Sequence, residues 1–243
     1  MIDIKKAEEE FKKYTNNYDM SNSNIEIKVR HTFRVEKQCE KIAISLGMNE
    51  EEINLAKLIG LLHDIARFEQ YKRYKTYDDN KSIDHGDLGV KVLEENEYIR
   101  KYIKTDLYDE IIKKAIYNHN KYSIEENLSK EEKLYCEIIR DADKLDIMYQ
   151  GTFESWKDNM KDMEKQCISP KVIEQFKLGE VVNKKYTNYD IDRTVVVFAF
   201  IYDFNLIDSY KIIKENKYID KLYSRFTFKD ETTLNRYNEI YKI

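Results

Sequence analysis

The sequence predicts an all-α protein, and three features carry that expectation. Its 243 residues include 6 glycines and 1 proline, so the punctuation that hairpins and sandwiches need is scarce. Apolar side chains recur at three- and four-residue steps over most of the chain, which lays them along one face of a helix. Ser, Asn and Gly stand where those stripes begin and end, the places at which they cap helices.

Ile4, Ala7, Phe11, Tyr14 and Tyr18 form the first stripe. A second helix is expected after the polar cluster Ser21 to Asn24, closing near Gly47, with Ile27, His31, Val35, Cys39, Ile42 and Leu46 on its inner side. Asn49 caps a third. Its first turn holds Glu50, Glu51 and Glu52, where the helix dipole favours acids, and it is expected to run through Leu62, His63 and Asp64. The polar stretch Gln70 to Ser82 reads as a loop.

Beyond it, a helix with His85 near its start carries Leu88 and Val92, and a further one carries Ile112, Ala115 and His119. Between Ser129 and Gln150, Leu134, Ile138, Ala142, Leu145 and Met148 share a face, with Asp141, Asp143 and Asp146 beside it. Ser169 before Pro170 marks a helix start, a capping side chain followed by a residue whose missing N–H costs nothing at the first position. Val195 to Tyr202 is β-branched and aromatic enough for a buried strand, but helix is the reading adopted. No repeat or linker separates these segments. The expected organisation is one domain over 1–243, with a core at about 24–150 and a helical C-terminal extension at about 151–243.

Charged residues make up 36% of the chain and hydrophobic ones 42%, a globular balance rather than a disordered one. Lys and Arg number 42 against 46 Asp and Glu, and a net charge of -4 argues against a protein that coats duplex nucleic acid. The cysteines, Cys39, Cys136 and Cys167, form no disulfide framework and suit a reducing cytoplasm, the expected location. The first residues lack the apolar core of a signal peptide. The longest apolar run, Val195 to Tyr202, is far short of the ~20 residues a membrane helix needs, so no membrane partner is expected.

The 4 histidines are the informative residues. Three lie on or beside apolar stripes and the fourth opens a helix, an uneconomical placement for unemployed imidazoles. His63 and Asp64 are neighbours. Consecutive helix residues diverge by about 100°, yet a cation at their shared edge is within reach of both. Imidazole with carboxylate suits Mn, Fe, Co, Ni or Zn better than Ca or Mg. His31 would supply a third ligand, and an aspartate from the Asp141 to Asp146 segment a fourth. Arg67, one turn after His63, and Lys144, beside the aspartates, are candidate phosphate clamps. The competing readings are an ion pair of Arg67 with Glu69 or Glu94, and ordinary helix-surface charge for Asp141 and Asp146.

With these residues in place the chain resembles the HD superfamily of metal-dependent phosphohydrolases, named for a His…His-Asp…Asp pattern on an all-helical core. His31 in VRHTFRV is similar to the first histidine, His63 and Asp64 in LLHDIARFEQ to the doublet, and Asp143 in RDADKLD to the last aspartate. The resemblance favours Asp143 over Asp141 as ligand, and leaves Asp141 to orient a ligand histidine. His85 and His119 stand where two-metal members carry further histidines, so it implies one divalent ion or two. It also implies that Arg67 touches a substrate phosphate. The Gly-Tyr-Pro signature of the cyclic-dinucleotide HD-GYP branch is absent, and that branch's substrate is not implied.

The implied activity is hydrolysis of a small phosphorylated substrate, a nucleotide among the candidates, by metal-activated water. Two other functions fit the same residues: a di-iron oxygenase on this fold, and a nucleotide-binding module without chemistry.

Overall fold

The computed structural model describes residues 2–153 and 163–242, and among the described residues every regular element is helical. The chain divides into two compact units, Met1–Asp143 and Lys144–Ile243. None of the described helices is long and apolar enough to cross a membrane.

In the first unit, α1 (Ile4–Thr15) starts at Asp3, whose carboxylate accepts from Lys6 N, and buries Ala7 and Phe11. It stops before Tyr18. Helix α2 (Ser23–Ser45) begins at Asn22 and buries His31, Val35, Cys39 and Ile42 as expected. Two members of its expected stripe differ. Ile25 rather than Ile27 is buried at the start, and Leu46, past the last helical turn, is exposed. Helix α3 (Glu50–Leu62) opens with a reciprocal capping box between Asn49 and Glu52.

Helix α3 does not run through the His-Asp doublet. His63 ends it with helical angles, and Asp64, at φ -104° and ψ 17°, starts α4 (Ile65–Tyr74). Asp64 occupies an N-cap position, where aspartate is favoured, but makes no cap hydrogen bond. Its carboxylate is used elsewhere. The expected loop from Gln70 is also shorter, because α4 extends to Tyr74 and Gln70 is fully buried with its amide hydrogen-bonded. Helices α5 (His85–Glu94) and α6 (Asp109–Asn118) follow, and then α7 (Lys130–Phe153), of which the part up to Asp143 belongs to this unit.

Gly60 sets the approach of α2 to α3. A Cβ there would lie 2.9 Å from Cys39 Sγ and 2.9 Å from Glu36 Cα. Because α2 carries His31 and α3 leads into His63, this contact fixes the separation of two site residues. Gly60→Ala is expected to overpack the seam and destabilise the protein by about 1–3 kcal/mol. A denaturant midpoint equal to wild type would show that the seam gives way freely.

Glu36, buried on α2, faces Glu8 of α1, with Glu40 and Lys57 nearby. Burial and then the Glu8 carboxylate push its pKa from the usual 4.5 up to about 8. The fold therefore favours the neutral acid. The stability this contributes is full below the unfolded value and is lost as pH rises through 8. Glu36→Gln keeps the neutral form at every pH. Its Tm is expected to exceed wild type by several degrees at pH 8 and to match it near pH 4; parallel melting curves across that range would contradict this.

In the second unit, Pro170–Lys177 is helical as expected, but Ser169 does not cap it. Its Oγ instead donates to Asp192 Oδ2 at 2.8 Å, and the same buried carboxylate accepts from the backbone N–H groups of Ser169, Asn188 and Tyr189. That cluster anchors the start of the helix Asp190–Phe198. Val195 to Tyr202 is thus helical, ending in the 3-10 turn Ala199–Tyr202. The helices Ile207–Asn216, Tyr218–Ser224 and Glu231–Tyr241 complete the unit, where Tyr237 packs edge-on against Phe198 and Phe228.

Candidate metal centre

The first unit gathers six expected ligands from five places in the chain: His31 from α2, His63 and Asp64 from the α3–α4 break, His85 from the first turn of α5, His119 from the end of α6 and Asp143 from α7. The four imidazoles run in a row, with ring centres 5.3 Å apart for His31 and His63, 5.3 Å for His63 and His119, and 4.8 Å for His119 and His85.

Their donor atoms form two groups that meet at Asp64. In one, His31 Nε2 lies 3.3 Å from His63 Nε2, 3.5 Å from Asp64 Oδ2 and 3.1 Å from Asp143 Oδ1. In the other, His85 Nε2 lies 3.0 Å from His119 Nε2 and 3.5 Å from Asp64 Oδ1, and His119 Nε2 lies 3.8 Å from that oxygen. Metal–ligand bonds of about 2.1 Å place tetrahedral donors about 3.4 Å apart. The separations across the two groups, from 3.0 Å to 4.0 Å, bracket that spacing.

The outer ring nitrogens settle which atoms face inward. His63 Nδ1 donates to Gly60 O at 2.7 Å, and His119 Nδ1 donates to Ile116 O at 2.6 Å. His85 Nδ1 donates to Asp79 Oδ2 at 2.6 Å. Each Nδ1 proton is then outside, and each Nε2 points into the cluster. Burial favours the neutral form of two of these rings, lowering His63 to about 4 and His85 to about 3.

The carboxylates behave oppositely. Burial works against the charge on Asp64, but Lys28 and the surrounding histidines outweigh it and hold the group well below its usual range. Burial likewise opposes ionised Asp143, and the adjacent His31 keeps it ionised.

Two cations flank Asp64. Lys28 Nζ is 2.7 Å from Oδ2, and Arg67 Nε is 3.3 Å from Oδ1. Arg67 also reaches Asp79 Oδ1 at 2.9 Å and Gln70 Oε1 at 2.7 Å. The expected alternative for Arg67 does not occur, since Glu69 pairs with Arg73 and Glu94 with Lys113. Lys144 lies in the other unit, where its ammonium is held by Asp203 Oδ2 at 2.8 Å. Asp141 and Asp146 are fully buried, so neither is the surface charge that was the competing expectation. Asp143 Oδ1 lies beside His31 Nε2 at 3.1 Å.

Sequence reasoning missed Lys28 and Asp79. Lys28 had a signal, standing one helical turn before His31 on the same face. Asp79 had none, being one acid in a polar stretch.

Residues 29–148 match the family model described as the HD domain. No curated protein and no solved structure matches the chain.

Proposed function

From the premise that this chain is an HD-domain protein, with the domain over residues 29–148, we propose that it is a metal-dependent phosphohydrolase acting on a small phosphoester. The observation that carries this reading is the double use of Asp64, one oxygen facing His31 and His63, the other facing His85 and His119. The donor chemistry fits divalent cations. His85 Nε2 and His119 Nε2 face each other at 3.0 Å while the Nδ1 of each ring donates outward, and burial disfavours a further proton on His85. A shared cation relieves that opposition.

In this reading His31, His63, Asp64 and Asp143 hold one ion, and Asp64, His85 and His119 a second. Divalent transition ions bound there supply a water of lowered pKa and neutralise charge on the phosphoryl group. Lys28 and Arg67 present cationic donors beside the ligands and bind phosphate oxygens. Gln70 and Asp79 hold Arg67 in place for that contact. His63 is fully buried, whereas the side chains of Lys28 and Asp143 are each 20% exposed, so substrate approaches from their side while bulk water is kept from the doublet.

The test is metal-depleted protein reloaded with Mn, Fe, Co, Ni or Zn and assayed on phosphomonoesters, phosphodiesters and nucleotides. Phosphate release with at least one ion is the expected result. Metal-loaded protein that hydrolyses nothing but gains thermal stability from a nucleotide is instead a binding module. Oxygen uptake by the iron form without phosphate release selects the oxygenase reading.

A further inference from the structure

Asp79 opens the single turn Asp79–Lys81 between α4 and α5, and both its carboxylate oxygens are committed. Oδ1 accepts from Arg67 Nη1 at 2.9 Å and from Gln70 Nε2 at 2.8 Å. Oδ2 accepts from His85 Nδ1 at 2.6 Å. Gln70 is fully buried, and its amide also donates to Ser82 Oγ and Ile83 O, both at 2.9 Å. The carboxylate is thereby fixed on one side by a pinned amide and a guanidinium, and on the other by the imidazole.

A neutral imidazole has one ring proton. Held on Nδ1 by Asp79, that proton leaves Nε2 as a lone pair aimed at His119 Nε2 and Asp64 Oδ1. The competitor is Asn120, whose Nδ2 lies 3.2 Å from His85 Nδ1 and would require the opposite tautomer to donate there. The carboxylate is nearer and charged, and Asn120 Nδ2 has Asp84 Oδ1 at 3.1 Å as an alternative acceptor.

We infer that Asp79 is a positioning residue for the second cation, fixing the His85 tautomer that makes the His85–His119–Asp64 group a metal site. This rests on the two-cation reading above. An asparagine at this place cannot do the same work. Its one oxygen suits the two donors of Arg67 and Gln70, which turns its NH2 toward His85 Nδ1 and drives the ring proton to Nε2. That proton then bonds His119 Nε2 and closes the group to a cation. The reversed amide sets NH2 against the Arg67 and Gln70 donors.

The experiment uses the full chain, wild type and Asp79→Asn. Zn2+ alone is titrated by calorimetry, and the tautomer of His85 is read from its 15N shifts in metal-free protein, where only 4 histidines contribute signals. Wild type is expected to bind two ions and to show His85 protonated on Nδ1. Asp79→Asn keeps the first ion, loses about 10- to 100-fold in affinity for the second, and shows His85 protonated on Nε2. Two ions at wild-type affinity in the variant, or an unmoved tautomer, overturns the role of Asp79. Wild type binding fewer than two ions overturns the two-cation reading itself. Should the variant not fold, the wild-type tautomer decides, and Nε2 protonation there overturns the inference.

Discussion

Asp64→Ala is expected to remove both cations and to lower phosphoester turnover on the order of 10^3-fold or more. No other single ligand change has that reach, because among the described residues Asp64 is the one shared by the two histidine groups. His85→Ala, by contrast, leaves His31, His63 and Asp143 with Asp64 and so spares the first ion. Metal content after dialysis, measured beside turnover, separates the two variants. The alanine also strips Lys28 and Arg67 of the carboxylate between them. A companion Asp64→Asn variant keeps the volume and one acceptor, and distinguishes lost ligation from lost packing. An Asp64→Ala enzyme with wild-type turnover would sink the proposed centre.

Chelation of the wild-type protein is expected to take turnover to background and to lower Tm, with both restored by a divalent transition ion. The stability change follows from mass action. An ion that binds only the folded chain adds about 2.7 kcal/mol at a hundredfold excess over its Kd. The six donor residues come from segments far apart in sequence, so the unfolded chain presents no comparable site. The check is a melt with and without chelator and added ion. Undiminished turnover in thoroughly depleted protein would refute the metal requirement.

Much of this arrangement was legible in the sequence, for reasons that differ from residue to residue. The capping box at Asn49 and Glu52 is a local device, and local devices survive without tertiary context. The four histidines stood out because histidine on an apolar face is costly without a task, Asp64 as the neighbour of one of them, and Asp143 through the resemblance to the HD pattern. The break after His63 was not legible, since apolar spacing continues across it into α4 and nothing local marks the turn. Gln70 looked like a loop residue because burial of an amide depends on distant acceptors, here Asp79, Ser82 and Ile83. Lys28 and Asp79 act through neighbours 36 and 6 residues away, and such pairings are set by the packing of helices rather than by any pattern along the chain.

The shared carboxylate has a thermodynamic consequence. Two ions that divide one anion cannot load independently: each draws on the charge that would attract the other, and by linkage the first weakens the second by the same factor as the second weakens the first. Mutual repulsion of the ions acts in the same direction. In the two-cation reading the titration is expected to be stepwise, with two dissociation constants that belong to the pair.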